Sequence, residues 1–251
     1  MPRIILYISM LLIFACKNKS GRPEPYATKP VEYIQPTKDQ QDRRAQSEAY
    51  CKAHDIPVYA NPNALFVDPE EKVTIRTKDE VVDRALALCY VGLKSEGLEQ
   101  MYLDRFNKDF RVTGKLTPTE KKYAAAKQPT QQQTIDANWR YESFHVMLWA
   151  LGFIDTLSYP NQLCNVASDV TILRDLTEKQ FREKAKLRSK KEILDQADLI
   201  LRLDWACVDA RVNNKPMPGG LNNSIIMERH HSLNWLINYL QQQWDDVSID
   251  T

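Results

Sequence analysis

Thr130-Gln-Gln-Gln-Thr-Ile-Asp-Ala-Asn-Trp-Arg-Tyr-Glu-Ser-Phe-His-Val-Met-Leu-Trp-Ala-Leu-Gly152 is the most apolar long segment of the chain. Its first turns are polar, but Phe144 to Leu151 leaves almost no polar face. A helix that is apolar all round sits in the middle of a globular protein. Gly152 suits its end, because glycine accepts the left-handed backbone that closes a helix. The segment therefore predicts a mainly α fold built around one central helix.

Working outward, the same signals recur. Downstream, Thr177 to Lys186 reads as a short helix. Ser189-Lys-Lys-Glu192 is a capping box that opens a long helix to about Asn213. Lys215-Pro-Met-Pro-Gly-Gly220 is a break, and Asn223 to Gln243 is the last helix before an acidic tail, 244–251. Upstream, Thr77-Lys-Asp-Glu80 opens a helix to Gly97, and Leu98 to Phe110 is a second. Thr117-Pro-Thr-Glu120 is a capping box with proline at the first helical position, and Asp39 to Asp55 reads as a helix. Ile56 to Tyr59, Leu65 to Val67 and Val73 to Ile75 are short β-like runs broken by Pro and Asn. The expected architecture is a single multi-helix domain over 39–251, of about eight helices with one or two short β pieces.

Composition agrees. The 251 residues are 43% hydrophobic and 27% charged, which excludes bulk disorder and a polytopic membrane protein. Only 7 are glycine, which disfavours phosphate-binding loops and turn-rich barrels. With 34 basic and 33 acidic side chains there is no electrostatic footprint for nucleic acid, and none is expected as a partner.

The first residues read as a processing signal rather than as part of the fold. Arg3 is followed by an apolar run from Ile4 to Phe14, too short to span a bilayer and of the length of a signal-peptide core. Ile13-Phe14-Ala15-Cys16 resembles a bacterial lipobox. It implies cleavage before Cys16, palmitate-type acylation of Cys16, and a lipoprotein anchored to a membrane outside the cytoplasm. Cleavage would remove Arg3 and leave 33 basic against 33 acidic side chains, so anchoring would rest on the lipid. Residues 16–38 hold four prolines and few apolar residues, as a tether does.

Most catalytic motifs are absent. There is no G-x-G-x-x-G, G-x-S-x-G or H-E-x-x-H, and Leu98 stands where a phosphate loop begun at Gly92 would need lysine. The adjacent His230 and His231 would diverge by about 100° on a helix, so neither a metal nor a cofactor is expected. Cys51, Cys89, Cys164 and Cys207 permit three disulfide pairings in an exported protein, with no C-x-x-C among them.

What stands out is charge along helices that should be buried. Glu192, Asp195, Asp198, Arg202, Trp205 and Asp209 recur at steps of three and four, so they share one helical face. Arg140 and Glu142 lie one turn before the apolar stretch, and the last helix carries Glu228, Arg229, His230 and Asn234. Either these are solvated or buried structural pairs, or they line a pocket. In the pocket reading, Glu142, Asp195, Asp198, Glu228 and His230 are the catalytic candidates, and Arg140, Arg202, Trp205, Asp209, Arg229 and Asn234 the ligand-binding ones.

The chain resembles an uncharacterised bacterial family, the domain-of-unknown-function family 4272, from about Arg43 to Thr251. The segments that carry it include Arg84-Ala85-Leu86, Trp139-Arg140-Tyr141-Glu142, Leu148 to Gly152, Asp198-Leu199, Trp205-Ala206, Glu228-Arg229-His230 and Leu233-Asn234-Trp235. Against the family pattern, Asp55 stands where glycine is usual, Asp204 where histidine commonly precedes Trp205, and His231 replaces another residue. The resemblance implies no activity. The expectation is therefore a lipid-anchored domain that binds a ligand or protein partner. A hydrolase using the carboxylate and histidine cluster is one alternative, and a scaffold or immunity-type module another.

Overall fold

The computed structural model describes residues 35–63 and 65–249. The signal segment, Cys16 and nearly all of the tether lie outside them. Among the described residues there are nine α-helices and no strand. They are α1 (Lys38–Ala53), α2 (Lys78–Ser95), α3 (Gln100–Phe110), α4 (Pro118–Ala125), α5 (Gln131–Ala150), α6 (Val166–Arg174), α7 (Glu178–Lys184), α8 (Lys190–Val212) and α9 (Asn223–Leu236). The mainly α, single-domain expectation holds.

Capping explains most of the starts. Thr37, Thr77, Thr117, Thr130, Thr177 and Ser189 each form a capping box with a Glu or Gln three residues on. Each box satisfies backbone N–H groups that the first turn leaves without partners. At the end of α5, Gly152 is left-handed (φ +74°), and the amides of Gly152 and Phe153 reach back to the Trp149 and Leu148 carbonyls at 3.0 Å. That is a Schellman closure.

The long helices form a chain of neighbours. α2 packs along α5, α5 along α9, α9 along α8, and α8 along α1. Shorter helices α3, α4 and α7 border α2, and α6 borders α5. Every residue from Tyr141 to Leu151 is buried, which includes the Phe144–Leu151 stretch that the sequence placed in the core. α2 approaches α5 so closely at Gly92 that an added Cβ would lie 2.6 Å from the Tyr141 ring, a reason for glycine unrelated to phosphate.

Three details differ from expectation. First, the β-like runs of 56–75 pair with no strand. Pro57, Pro62 and Pro69 withhold amides, and side chains take the carbonyls instead. Gln40 donates to Val67 (2.8 Å), Arg43 to Asp68 (2.9 Å), Arg44 to Tyr59 and Asn61, and Lys190 to Glu70 and Val73. The buried Ile56, Val67 and Val73 produced the strand-like reading. Second, α6 was not foreseen, because Val166, Val170, Thr171 and Ile172 are β-branched. Its start is marked by Asn165, whose side chain accepts from the Ser168 amide at 3.1 Å. Third, α9 ends at Leu236 rather than near Gln243, because Asn238 turns left-handed (φ +53°). The chain then folds back and buries Trp244 edge-on against His231 and Trp235.

Candidate functional site

The candidates singled out by helical spacing are largely engaged with one another, in pairs rather than in one cluster. On α8, Arg202 donates to Asp198 one turn earlier, at 2.9 and 3.3 Å, and both side chains are 1% exposed. Between α5 and α9, Arg229 Nε donates to Glu142 at 3.4 Å, and Arg140 donates to Glu228 at 2.9 Å. Ser143 adds a hydroxyl to Glu228 at 2.8 Å. Between α9 and α8, His230 Nδ1 meets Asp204 at 2.8 Å, both buried. Glu228, Arg229 and His230 succeed one another at about 100° per residue, which is how one helix addresses two neighbours.

Of the remaining candidates, Asp195, Trp205 and Asp209 are half-buried and Asn234 is buried. Asp195 pairs with Lys191 at 2.7 Å. Asp209 accepts from Asn213 at 2.9 Å, and Trp205 packs on Tyr59 with centroids 5.3 Å apart. Asn234 donates to the Ser248 carbonyl at 2.9 Å, tying the C-terminal segment to α9. His230 and Asn234 share the wall of a cleft of about 200 Å³ with Phe66, Asp68 and Leu201.

Two further features were invisible to helical spacing. The first joins His145 of α5, Cys164 just before α6, and Asp169 in the first turn of α6. Their donor atoms lie within 4.8 Å of one another, and His145 Nδ1 is 2.8 Å from Asp169. Glu142, held by Arg229, accepts the Cys164 amide at 2.6 Å and so fixes the loop that carries the thiol. The trio has the composition of a cysteine nucleophile with its base and orienting acid. Yet burial pushes the Cys164 thiol well above its ordinary range, and Glu142 and Asp169 push it the same way. An activated nucleophile needs the opposite shift. All four described cysteines are free.

The second is an apolar groove of about 610 Å³ between α3 and α6, walled by Leu93, Leu98, Tyr102, Phe106, Phe110 and Leu173. Arg105 and Arg174 stand among its lining residues, Arg105 paired with Asp109 at 3.7 Å and Arg174 with Asp175 at 3.1 Å. It is much larger than the His230 cleft and falls within the usual volume of ligand sites, about 300–1,000 Å³. The sequence signal that could have found it is the amphipathic α3, which leaves Met101 and Tyr102 exposed.

Comparison with known families matches residues 43–247 to a domain of unknown function, DUF4272. The chain belongs to this family. No curated protein and no solved structure matches it. The DUF4272 match spans every ion pair described above and ends one residue before Ser248. Asp204, which precedes Trp205 on α8, is the partner of His230. In this DUF4272 chain no helix among the described residues is long and apolar enough to cross a membrane.

Proposed function

We propose that the chain is a lipid-anchored, extracytoplasmic binding module. Its ligand is an acyl chain, held in the groove between α3 and α6. The groove carries this reading. Its walls are aromatic and aliphatic, and the two guanidinium groups at its rim are already paired, Arg105 with Asp109 at 3.7 Å and Arg174 with Asp175 at 3.1 Å, so the apolar walls alone set the ligand class. The anchor rests on Ile13-Phe14-Ala15-Cys16 and the Pro-rich stretch behind it.

The ion pairs support binding over hydrolysis. Two-carboxylate hydrolysis needs both acids to face one cleft, about 5–10 Å apart. Glu142 and Asp198 are buried and each holds an arginine, while Glu228 and Asp195 hold Arg140 and Lys191. The scaffold reading would use the same groove for an apolar helix of a protein partner.

Two experiments test the proposal. Cells expressing the chain and fed radioactive palmitate should label it, and Cys16→Ser should abolish the label. An unlabelled wild-type chain sinks the anchor. A fluorescent fatty acid titrated into the full chain should bind saturably at one equivalent, and a linear, unsaturable response sinks the ligand assignment.

A further inference from the structure

Three side chains that no sequence motif connects meet beside α5. His145 comes from α5, Cys164 from the α5–α6 connection, and Asp169 from the first turn of α6. One donor atom from each lies within 4.8 Å of the other two. We propose that His145, Cys164 and Asp169 hold one zinc-type divalent cation.

The donor set argues first. Thiolate, imidazole and carboxylate together suit a borderline-soft ion such as Zn²⁺, whereas Mg²⁺ and Ca²⁺ take oxygen ligands. Zinc–ligand bonds of about 2.0–2.3 Å place tetrahedral donors roughly 3.3–3.8 Å apart. Donors already within 4.8 Å need to close by only about an ångström.

An unpaired lone pair argues second. His145 is 9% exposed, and its Nε2 is buried with no hydrogen-bond partner among the described residues. With Nδ1 donating to Asp169, Nε2 is a bare acceptor, and such a group is costly inside a protein unless something engages it. The metal-free pairing thus leaves the imidazole only half satisfied, and an ion that takes the place of the shared proton meets the ring at Nδ1 with Asp169 beside it as a direct ligand.

The surroundings argue third. Glu142 holds the Cys164 amide at 2.6 Å and is itself held by Arg229, so the ligand-bearing loop is braced by a buried ion pair. Cys164 is only half-buried, which leaves an entry path and an open fourth position for water. On binding, the thiol proton is released to solvent and the sulfur joins the ion as thiolate. Nothing in this depends on the α3–α6 groove, so either reading can fail alone.

The test uses the full chain, stripped with a chelator and titrated with Zn²⁺ and Co²⁺. The expected result is one equivalent of Zn²⁺, and a Co²⁺ complex with a thiolate charge-transfer band in the near ultraviolet. Cys164→Ser should abolish the band, and His145→Ala should weaken Zn²⁺ binding by at least about tenfold. A wild-type measurement covers variants that fail to fold: Zn²⁺ should slow alkylation of Cys164 by iodoacetamide, read on its peptide by mass spectrometry. Failure to bind one equivalent, a band that survives Cys164→Ser, or an unchanged alkylation rate would each overturn the proposal.

Discussion

Arg202 and Asp198 sit four residues apart on α8 and are each 1% exposed, so their charges face protein rather than water. Breaking such a pair leaves one charge uncompensated and costs about 3–5 kcal/mol, whereas a solvated position would lose under about 0.5 kcal/mol. Arg202→Ala should therefore lower the thermal midpoint sharply. Asp198→Leu with Arg202→Met, which removes both charges and keeps volume, should recover most of the loss. His231 gives a pH signature. Burial, helped by Arg140, lowers its pKa from 6.5 to about 4. The folded chain keeps the ring neutral where the unfolded chain protonates it, so stability falls as pH drops from about 6.5 to about 4. The full effect is of the order of 3 kcal/mol. Denaturant midpoints across that window should slope less for His231→Gln than for the wild type, the rest coming from Asp39 and Glu178, whose carboxyls are held low in the fold. Helical spacing made Asp198 and Arg202 legible from sequence. It could not supply the partners of His230 and His145, which lie 26 and 24 residues away on other elements.

At the scale of the element, the capping boxes at Thr77, Thr117 and Ser189 and the closure at Gly152 were legible because they act within about five residues. The end of α1 shows the same local logic with a different residue. Ile56 N reaches Cys51 O at 2.9 Å around Asp55, whose backbone is left-handed (φ +55°). Glycine is the residue suited to that place, and the family resemblance puts glycine there. Asp55→Gly should raise stability by up to about 1 kcal/mol, read as a higher urea midpoint at unchanged slope. An unchanged or lower midpoint would mean that Asp55 contributes more than its backbone strain costs. The segment 56–75 was misread because burial of alternate apolar residues looks like a strand. Whether such residues join a ladder depends on who takes their carbonyls, and here Gln40, Arg43, Arg44 and Lys190 take them.

Composition cannot separate charges that pair between helices from charges at the rim of the groove. Arg140–Glu228, Glu142–Arg229 and Asp204–His230 join helices α5, α8 and α9, and Asp198–Arg202 closes within α8. Arg105 and Arg174 border the α3–α6 groove, each paired with a neighbouring carboxylate. The central claim is that ligand recognition belongs to the groove and the internal pairs belong to the fold. It is tested most directly by titrating a fluorescent fatty acid into two variants of the full chain. Tyr102 lies in the groove and is 49% exposed, so Tyr102→Glu should leave the fold intact. Tyr102→Glu should weaken binding by about tenfold or more, equivalent to about 1.4 kcal/mol, while Glu228→Gln should bind as the wild type does. Binding that survives Tyr102→Glu but is lost in a folded Glu228→Gln would contradict it.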